Sequence, residues 1–268
     1  MTAIPFKTLP VRCFKQGQMY EADDSLSDEV PVALVYNGIS QVVLMATPQD
    51  LPELALGFSL TEGILSSVSQ LYDLEIEQTS TGILVNMEIA SEALLRLKGR
   101  RRHLSGRTGC GLCGLESLEA VKPVITPVIA RPSVSVAHIV AALKAFSSLQ
   151  PLRAKTGSVH GAAKVSAGGQ IEALFEDVGR HNALDKLFGC GARAGWNWSE
   201  GFVLVSSRAS YEMVVKSAVM GVGCLVAVSA PTALAVQLAQ EAGMTLIGFA
   251  KPQQQVVYCG HESLVWME

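Results

Sequence analysis

Arg107-Thr108-Gly109-Cys110-Gly111-Leu112-Cys113-Gly114 is the segment whose residue types most clearly could do chemistry. A Cys-x-x-Cys pair admits three mechanisms. As a zinc half-site it would supply half of the four ligands a structural zinc needs. No second Cys-x-x-Cys exists, and Cys13, Cys190, Cys224 and Cys259 are scattered singly, so a second copy would have to complete the set. As a dithiol redox centre the spacing fits, but the expected preceding strand and thioredoxin-like context are missing. As a persulfide carrier, one cysteine attacks and holds sulfur while the other assists release or protects it. Lys98, Arg100, Arg101, Arg102, His103 and Arg107 lie just upstream. Cations favour thiolate and would lower a cysteine's pKa, as would a following helix N-terminus near Leu115. The same charges could dock an anionic ligand or an acidic partner, or form a solvated basic face at a helix end. Glycines on both sides of the thiols leave them unshielded, which is a poor way to build a core. They also spell G-x-G-x-x-G. A basic, polar run precedes it instead of a buried strand, so the dinucleotide reading fails.

A second group of candidates lies toward the C-terminus. Glu176-Asp177-Val178-Gly179-Arg180-His181-Asn182-Ala183-Leu184-Asp185-Lys186 is dense in functional side chains. Capping and ion pairing are the expected roles of Asp185 and Lys186. For Arg180, His181 and Asn182 a structural and a functional role stand open side by side. Ser206-Ser207-Arg208-Ala209-Ser210 and Ser229-Ala230-Pro231-Thr232 each follow a predicted strand and open a predicted helix. Free backbone N–H groups at such turns favour anions, and ligands of parallel sheets bind beyond the carboxyl ends of the strands. Ser207, Arg208, Ser229 and Thr232 are therefore candidates for holding a phosphate-bearing ligand, with Lys251 on the same rim. Taken singly, each turn is an ordinary N-cap. His160, flanked by Gly157 and Gly161, is a further pocket candidate.

The elements that must position these residues fall into two groups. Val30–Tyr36 and Ile39–Met45 read as a hairpin around Asn37-Gly38. Thr47 is expected to cap a helix running to about Gly63, with Pro48 in its first turn. Strands at 71–78 and 83–89 and a short helix from Ser91 complete a small α+β half. Pro123, Pro127 and Pro132 place a boundary near residue 130, giving domains 1–130 and 131–268. The second half begins with a helix at about Val136–Leu149, a hairpin at 161–175 and a helix near His181–Ala192. Strands at 202–206, 224–229, 245–249 and 255–258 then alternate with helices at 211–220 and 232–242. This implies a parallel sheet and an α/β fold class.

Composition excludes several functions. With 49% hydrophobic and 17% charged residues the chain is globular. Its formal net charge of -3 offers no global attraction to nucleic acid or anionic membrane. Residues 1–15 show no secretion signal. The uncharged run Ser217–Gln240 is interrupted by Gly221, Gly223 and Pro231, so two buried elements are expected rather than a membrane span. Six cysteines without a signal point to reduced thiols and a cytoplasmic location.

The constellation resembles the formate dehydrogenase accessory sulfurtransferase family (FdhD). The matching segments are Asn37-Gly38, Glu53–Phe58 with Glu62-Gly63, the Cys110 loop, Thr156-Gly157 with His160, Glu176–Lys186, Ser207–Met213, Ser229–Thr232 and Gly248-Phe249. The resemblance implies a sulfur relay. A cysteine desulfurase passes persulfide sulfur to the loop, with Cys110 as carrier and Cys113 as its partner. The sulfur then goes to a molybdenum (or tungsten) bis-guanine-dinucleotide cofactor destined for formate dehydrogenase. It also implies cofactor contacts along Phe249, Ala250, Lys251, Pro252, Gln253 and Gln254; the two glutamines depart from the more basic character usual there. A homodimer and a second domain resembling cytidine deaminases without their zinc motifs are further implications. With the anion-friendly turns, they make GDP the expected mimic of the cofactor. Alternatives are a cofactor-binding chaperone in which the thiols are incidental, and a metal-binding scaffold.

Overall fold

The computed structural model describes residues 4–101 and 127–266. The Cys110–Cys113 pair and its upstream cations from Arg102 to Arg107 lie outside the described residues, as does Pro123.

The first unit is a four-stranded sheet backed by helices. β3 (Val30–Tyr36) and β4 (Ile39–Ala46) form the expected hairpin. Asn37 and Gly38 turn it with positive φ of 46° and 77°, the type I′ geometry that suits the twist of paired strands. β5 (Leu71–Gln78) and β6 (Ile83–Ile89) complete the order β4-β3-β6-β5, with β6 parallel to β3. Alternation sends Val32, Leu34, Tyr36, Val85 and Met87 to one face, where α1 (Leu51–Thr61) and α2 (Ser91–Arg101) close the core. Thr47 does not cap α1. The helix starts three residues later, after Asp50 in a left-handed conformation, with a proline in its first turn. Thr47 is instead buried against the second unit: its N–H donates to Asp177 and its hydroxyl accepts from the Val178 N–H.

A long hairpin precedes this unit, β1 (Phe6–Lys15) and β2 (Gln18–Ser27). Phe14, Met19 and Tyr20 near its tip are exposed. Its base is tied by Ser27, whose hydroxyl bonds those of Thr156 and Ser158.

The second unit is a six-stranded mixed sheet between two helical layers. Its order is β13-β12-β11-β10-β8-β9, from β8 (His160–Val165), β9 (Ile171–Asp177), β10 (Phe202–Val205), β11 (Cys224–Ala227), β12 (Thr245–Lys251) and β13 (Gln254–Cys259). β10, β11 and β12 are mutually parallel, as the alternation of strand and helix implied; β8 and β13 run antiparallel to their neighbours in that trio. Adjacent residues feed opposite cores. Val203, Val205, Leu225 and Leu246 face α5 (Arg180–Ala194), α6 (Tyr211–Val219) and α7 (Ala233–Glu241). Phe202, Leu204, Val226 and Ile247 face α3 (Val136–Ser148). A two-residue ladder joins β7 (Val134–Ser135) to β14 (Leu264–Val265), and α4 (Pro151–Thr156) leads into β8. The Ser217–Gln240 run resolves into the end of α6, β11 and α7, and among the described residues no helix is long and apolar enough to cross a membrane.

α1 and α5 cross where two glycines let their backbones touch. A Cβ at Gly57 would lie 1.8 Å from the Asp185 carbonyl oxygen, and one at Gly189 would lie 1.9 Å from that of Glu53. This contact makes α5 at once a helix of the second sheet and a wall of the first unit.

Candidate functional site

The parallel strands end together, and hydrogen bonds tie the turns that follow them. The Val228 N–H donates to the Val205 carbonyl at 2.9 Å, and the Phe249 N–H to Ser229 O at 3.1 Å. Ala209 and Pro231 form a parallel bridge, and the Thr232 N–H donates to Ala209 O at 3.0 Å. Ser207, Ser229, Thr232 and Phe249 are thereby collected at one end of the sheet. Thr232 caps α7, its hydroxyl accepting from the Ala235 N–H at 3.3 Å. Ser207 is buried, its hydroxyl donating to Arg208 O, while Arg208 is exposed.

The antiparallel strand β8 brings His160 to the same end, since the Ser206 N–H donates to Gly161 O at 3.0 Å. Ser206 Oγ accepts the Gly161 N–H at 2.9 Å and lies 3.4 Å from His160 Nδ1. β9 finishes beside it, with Asp177 paired to His160 in register, and delivers the first turn of α5 with Arg180 and His181. Phe249 holds a positive φ of 47° and is exposed. Such a conformation in an aromatic residue costs energy and is found where surroundings over-determine it. Beyond it the β12–β13 turn carries Lys251, Pro252, Gln253 and Gln254, with both glutamines and Lys251 exposed. Ala250, expected as a cofactor contact, is instead buried in the core shared with α3 and presents almost no surface to a ligand.

The polar groups divide sharply by satisfaction. Asp177 and Lys186 form a fully buried ion pair at 2.7 Å. Asp177 also accepts from the N–H groups of Thr47 and Gly179 and from the Asn182 amide, and Lys186 donates to the carbonyls of Thr47 and Glu176. Asn182 uses its remaining amide hydrogen on Met45 O. Asp185 accepts from Lys216 through both oxygens at 3.0 Å and from the Thr61 hydroxyl at 2.8 Å, and Lys216 reaches Glu62 at 3.0 Å. Burial works against the Lys216 charge, but Asp185 and Glu62 outweigh it and raise its pKa. Glu176 seats its carboxylate on the Leu152 and Arg153 N–H groups at the start of α4. Asn182, Asp185 and Lys186 are thus architectural.

Arg180 and His181 are different. Among the described residues, Arg180 Nε is buried without a hydrogen-bond partner, and Ser210 Oγ on the neighbouring turn shares that condition. His181 Nε2 comes within 2.8 Å of Glu212 Oε2, off the axis of a ring N–H bond, and it too lacks an aligned partner there. Burial alone would raise Glu212. Its contact with His181 and the charges of His181, Arg180 and Lys216 hold it below its ordinary value. Burial lowers the His160 pKa, reinforced by Arg180, Arg153 and His181 and opposed by Asp177. The field at His160 is therefore positive, and Arg180 Nε beside it is buried with no acceptor among the described residues. An anion with several oxygens would supply one. Arg153 and Glu212 were not singled out as pocket residues from the sequence. Glu212 sits two places after the Ser210 cap, and its approach to His181 across two helices is not readable in one dimension.

The sequence pattern of the FdhD/NarQ family matches residues 27–265. The chain belongs to the FdhD/NarQ family. It is 52% identical over 257 residues to a protein of Cupriavidus necator described as sulfur carrier protein FdhD, covering 96% of this chain and 89% of that relative. A crystal structure of a putative formate dehydrogenase accessory protein from Desulfotalea psychrophila superposes with a TM-score of 0.77 at 22% identity, over 98% of this chain and 100% of that one. That likeness establishes the shared two-unit fold. The family match spans both units and leaves out most of the β1–β2 hairpin.

Proposed function

We propose that this chain is a cytoplasmic sulfur carrier serving formate dehydrogenase. In this reading the Cys110 thiolate attacks the terminal sulfur of a cysteine desulfurase persulfide. The donor's S–S bond breaks, the donor leaves as thiolate, and Cys110 carries the persulfide while Cys113 assists its release. The acceptor is a molybdenum (or tungsten) bis-guanine-dinucleotide cofactor, which is the substrate of the transfer. The first domain, residues 1–130, carries the Cys-x-x-Cys segment near its end, and the second, residues 131–268, binds the cofactor in a homodimer. Resemblance of that domain to cytidine deaminases is supported by its sheet, in which a hairpin feeds a run of parallel strands between two helical layers.

One observation supports the substrate class above the others. Arg180 Nε, His181 Nε2 and Ser210 Oγ lack aligned partners among the described residues, at the sheet end where Ser207, Ser229, Thr232 and Phe249 converge. Exposed Arg208 and Lys251 border that end. Phosphate oxygens of a dinucleotide would satisfy such donors, and exposed Phe249 offers a face for a purine. The description of the Cupriavidus relative as a sulfur carrier protein supports the sulfur-carrying half. Cells lacking the protein test the whole. Wild type restores formate dehydrogenase activity, and Cys110→Ala fails to restore it while accumulating as folded protein. Full restoration by Cys110→Ala would favour a cofactor chaperone with incidental thiols.

A further inference from the structure

We propose that the outer face of the β4-β3-β6-β5 sheet docks a protein partner whose contacting surface is basic around an apolar centre. A sheet with one solvated face ordinarily places polar residues outward. Here the outward positions of β3 are Pro31, Ala33 and Val35. Met45 and Val43 of β4 stand opposite the first two, and Leu84 of β6 is level with Ala33. Val43 is 54% exposed and Met45 48% exposed. A shallow cleft bounded by Thr79 and Gly82 opens on this strip.

Beside the strip the same face turns acidic. In register across β5 and β6, Glu77 stands opposite Leu84, Glu75 opposite Asn86 and Asp73 opposite Glu88. All four carboxylates are exposed. Asp73 and Glu88 face each other directly, an arrangement that repels. The four strands of this sheet carry no cation to relieve it. Thirteen of the chain's 24 acidic residues fall between Gln16 and Leu95, a stretch that contains none of its 21 Lys and Arg and no His. Arg96, the first base after it, is engaged by Glu92 and Gln70. The rest of the chain is net basic, so the overall charge of -3 conceals a polar molecule.

An apolar centre with a charged margin is the anatomy of a protein interface. The margin's sign selects the occupant. Nucleic acid and anionic membrane are repelled, and a basic protein surface is steered in. A second copy would have to offer a different, basic patch, a head-to-tail contact that builds a ring or a filament and not a two-fold dimer. A photo-crosslinking residue at position 43, and separately at 75, in the full chain inside its host cells tests this, with crosslinked peptides mapped by mass spectrometry. The expected result is a partner other than the chain itself, joined through a net basic segment. Its yield should fall at least about fivefold in the Glu75→Lys/Glu77→Lys variant, and by less in Glu75→Gln/Glu77→Gln, as a steered contact requires. Both variants should melt like wild type. No crosslinked protein, crosslinks to a second copy, attachment through an acidic or neutral segment, or a yield indifferent to charge reversal would each overturn the proposal.

Discussion

Lys186 and Arg180 lie on the same helix and belong to the same charged run, yet they behave oppositely. Lys186 is fully buried and has an acceptor for each of its hydrogens: a carboxylate and two carbonyls. Arg180 is half buried, and its Nε has none among the described residues. Burial of a charge is costly unless it is paired and hydrogen-bonded. Lys186 meets that condition within the chain, so it binds the two units together. The Nε of Arg180 does not meet it among the described residues. Whether a polar group is satisfied separates scaffold from site more sharply than residue type does.

The comparison breaks first at Asp177. Asp177→Ala leaves Lys186 charged and buried, which should cost about 3–5 kcal/mol. Urea unfolding should register that loss; a cost near that of a surface substitution would mean that Lys186 is not held as described. Next is the helix crossing. Gly57→Ala drives a methyl into the Asp185 carbonyl and should cost about 1–3 kcal/mol, read by the same unfolding curves. Arg180→Ala should leave the melting temperature unchanged and weaken GDP binding by calorimetry about tenfold, or about 1.4 kcal/mol. Arg208→Ala should weaken it in the same direction. Equal binding by wild type and both variants would place the nucleotide elsewhere.

The smallest effect is in pH. His160 has a lowered pKa when folded, so on acidification the unfolded chain takes up its proton first. Stability should therefore fall as pH drops below about 6.5, the ordinary histidine value, until the folded state also protonates. In His160→Asn that contribution is absent. The wild type should lose stability relative to the variant between neutral and mildly acid pH. A pH-independent difference would mean that neither burial nor the cluster of Arg153, Arg180 and His181 lowers the His160 pKa.

Much of this was legible along the chain, for identifiable reasons. The strands of both sheets announced themselves through alternation or through strand–helix repetition, and Asn37-Gly38 fixed one hairpin. The β1–β2 hairpin was not read, because Lys7, Arg12, Lys15, Glu21, Asp23 and Asp24 interrupt its apolar residues and both its faces are open. Thr47-Pro48 carried a local cap signature, but its hydroxyl and amide were claimed by Val178 and Asp177, more than a hundred residues away. Ion pairing was expected of Asp185 and Lys186 and is what they do, whereas the capping also expected of them is not seen. The division between Asn182, whose amide is fully used, and Arg180 Nε and His181 Nε2, which have no aligned partner among the described residues, required three dimensions. The acidic face stayed hidden behind a net charge averaged over the chain.

Sulfur loading tests the carrier assignment most directly. The purified protein is mixed with a cysteine desulfurase and isotopically labelled cysteine, and the label is mapped by mass spectrometry without reductant. The carrier assignment predicts label on Cys110 that dithiothreitol removes and that is absent in Cys110→Ala. No label on Cys110 or Cys113, with the desulfurase demonstrably active, would contradict it.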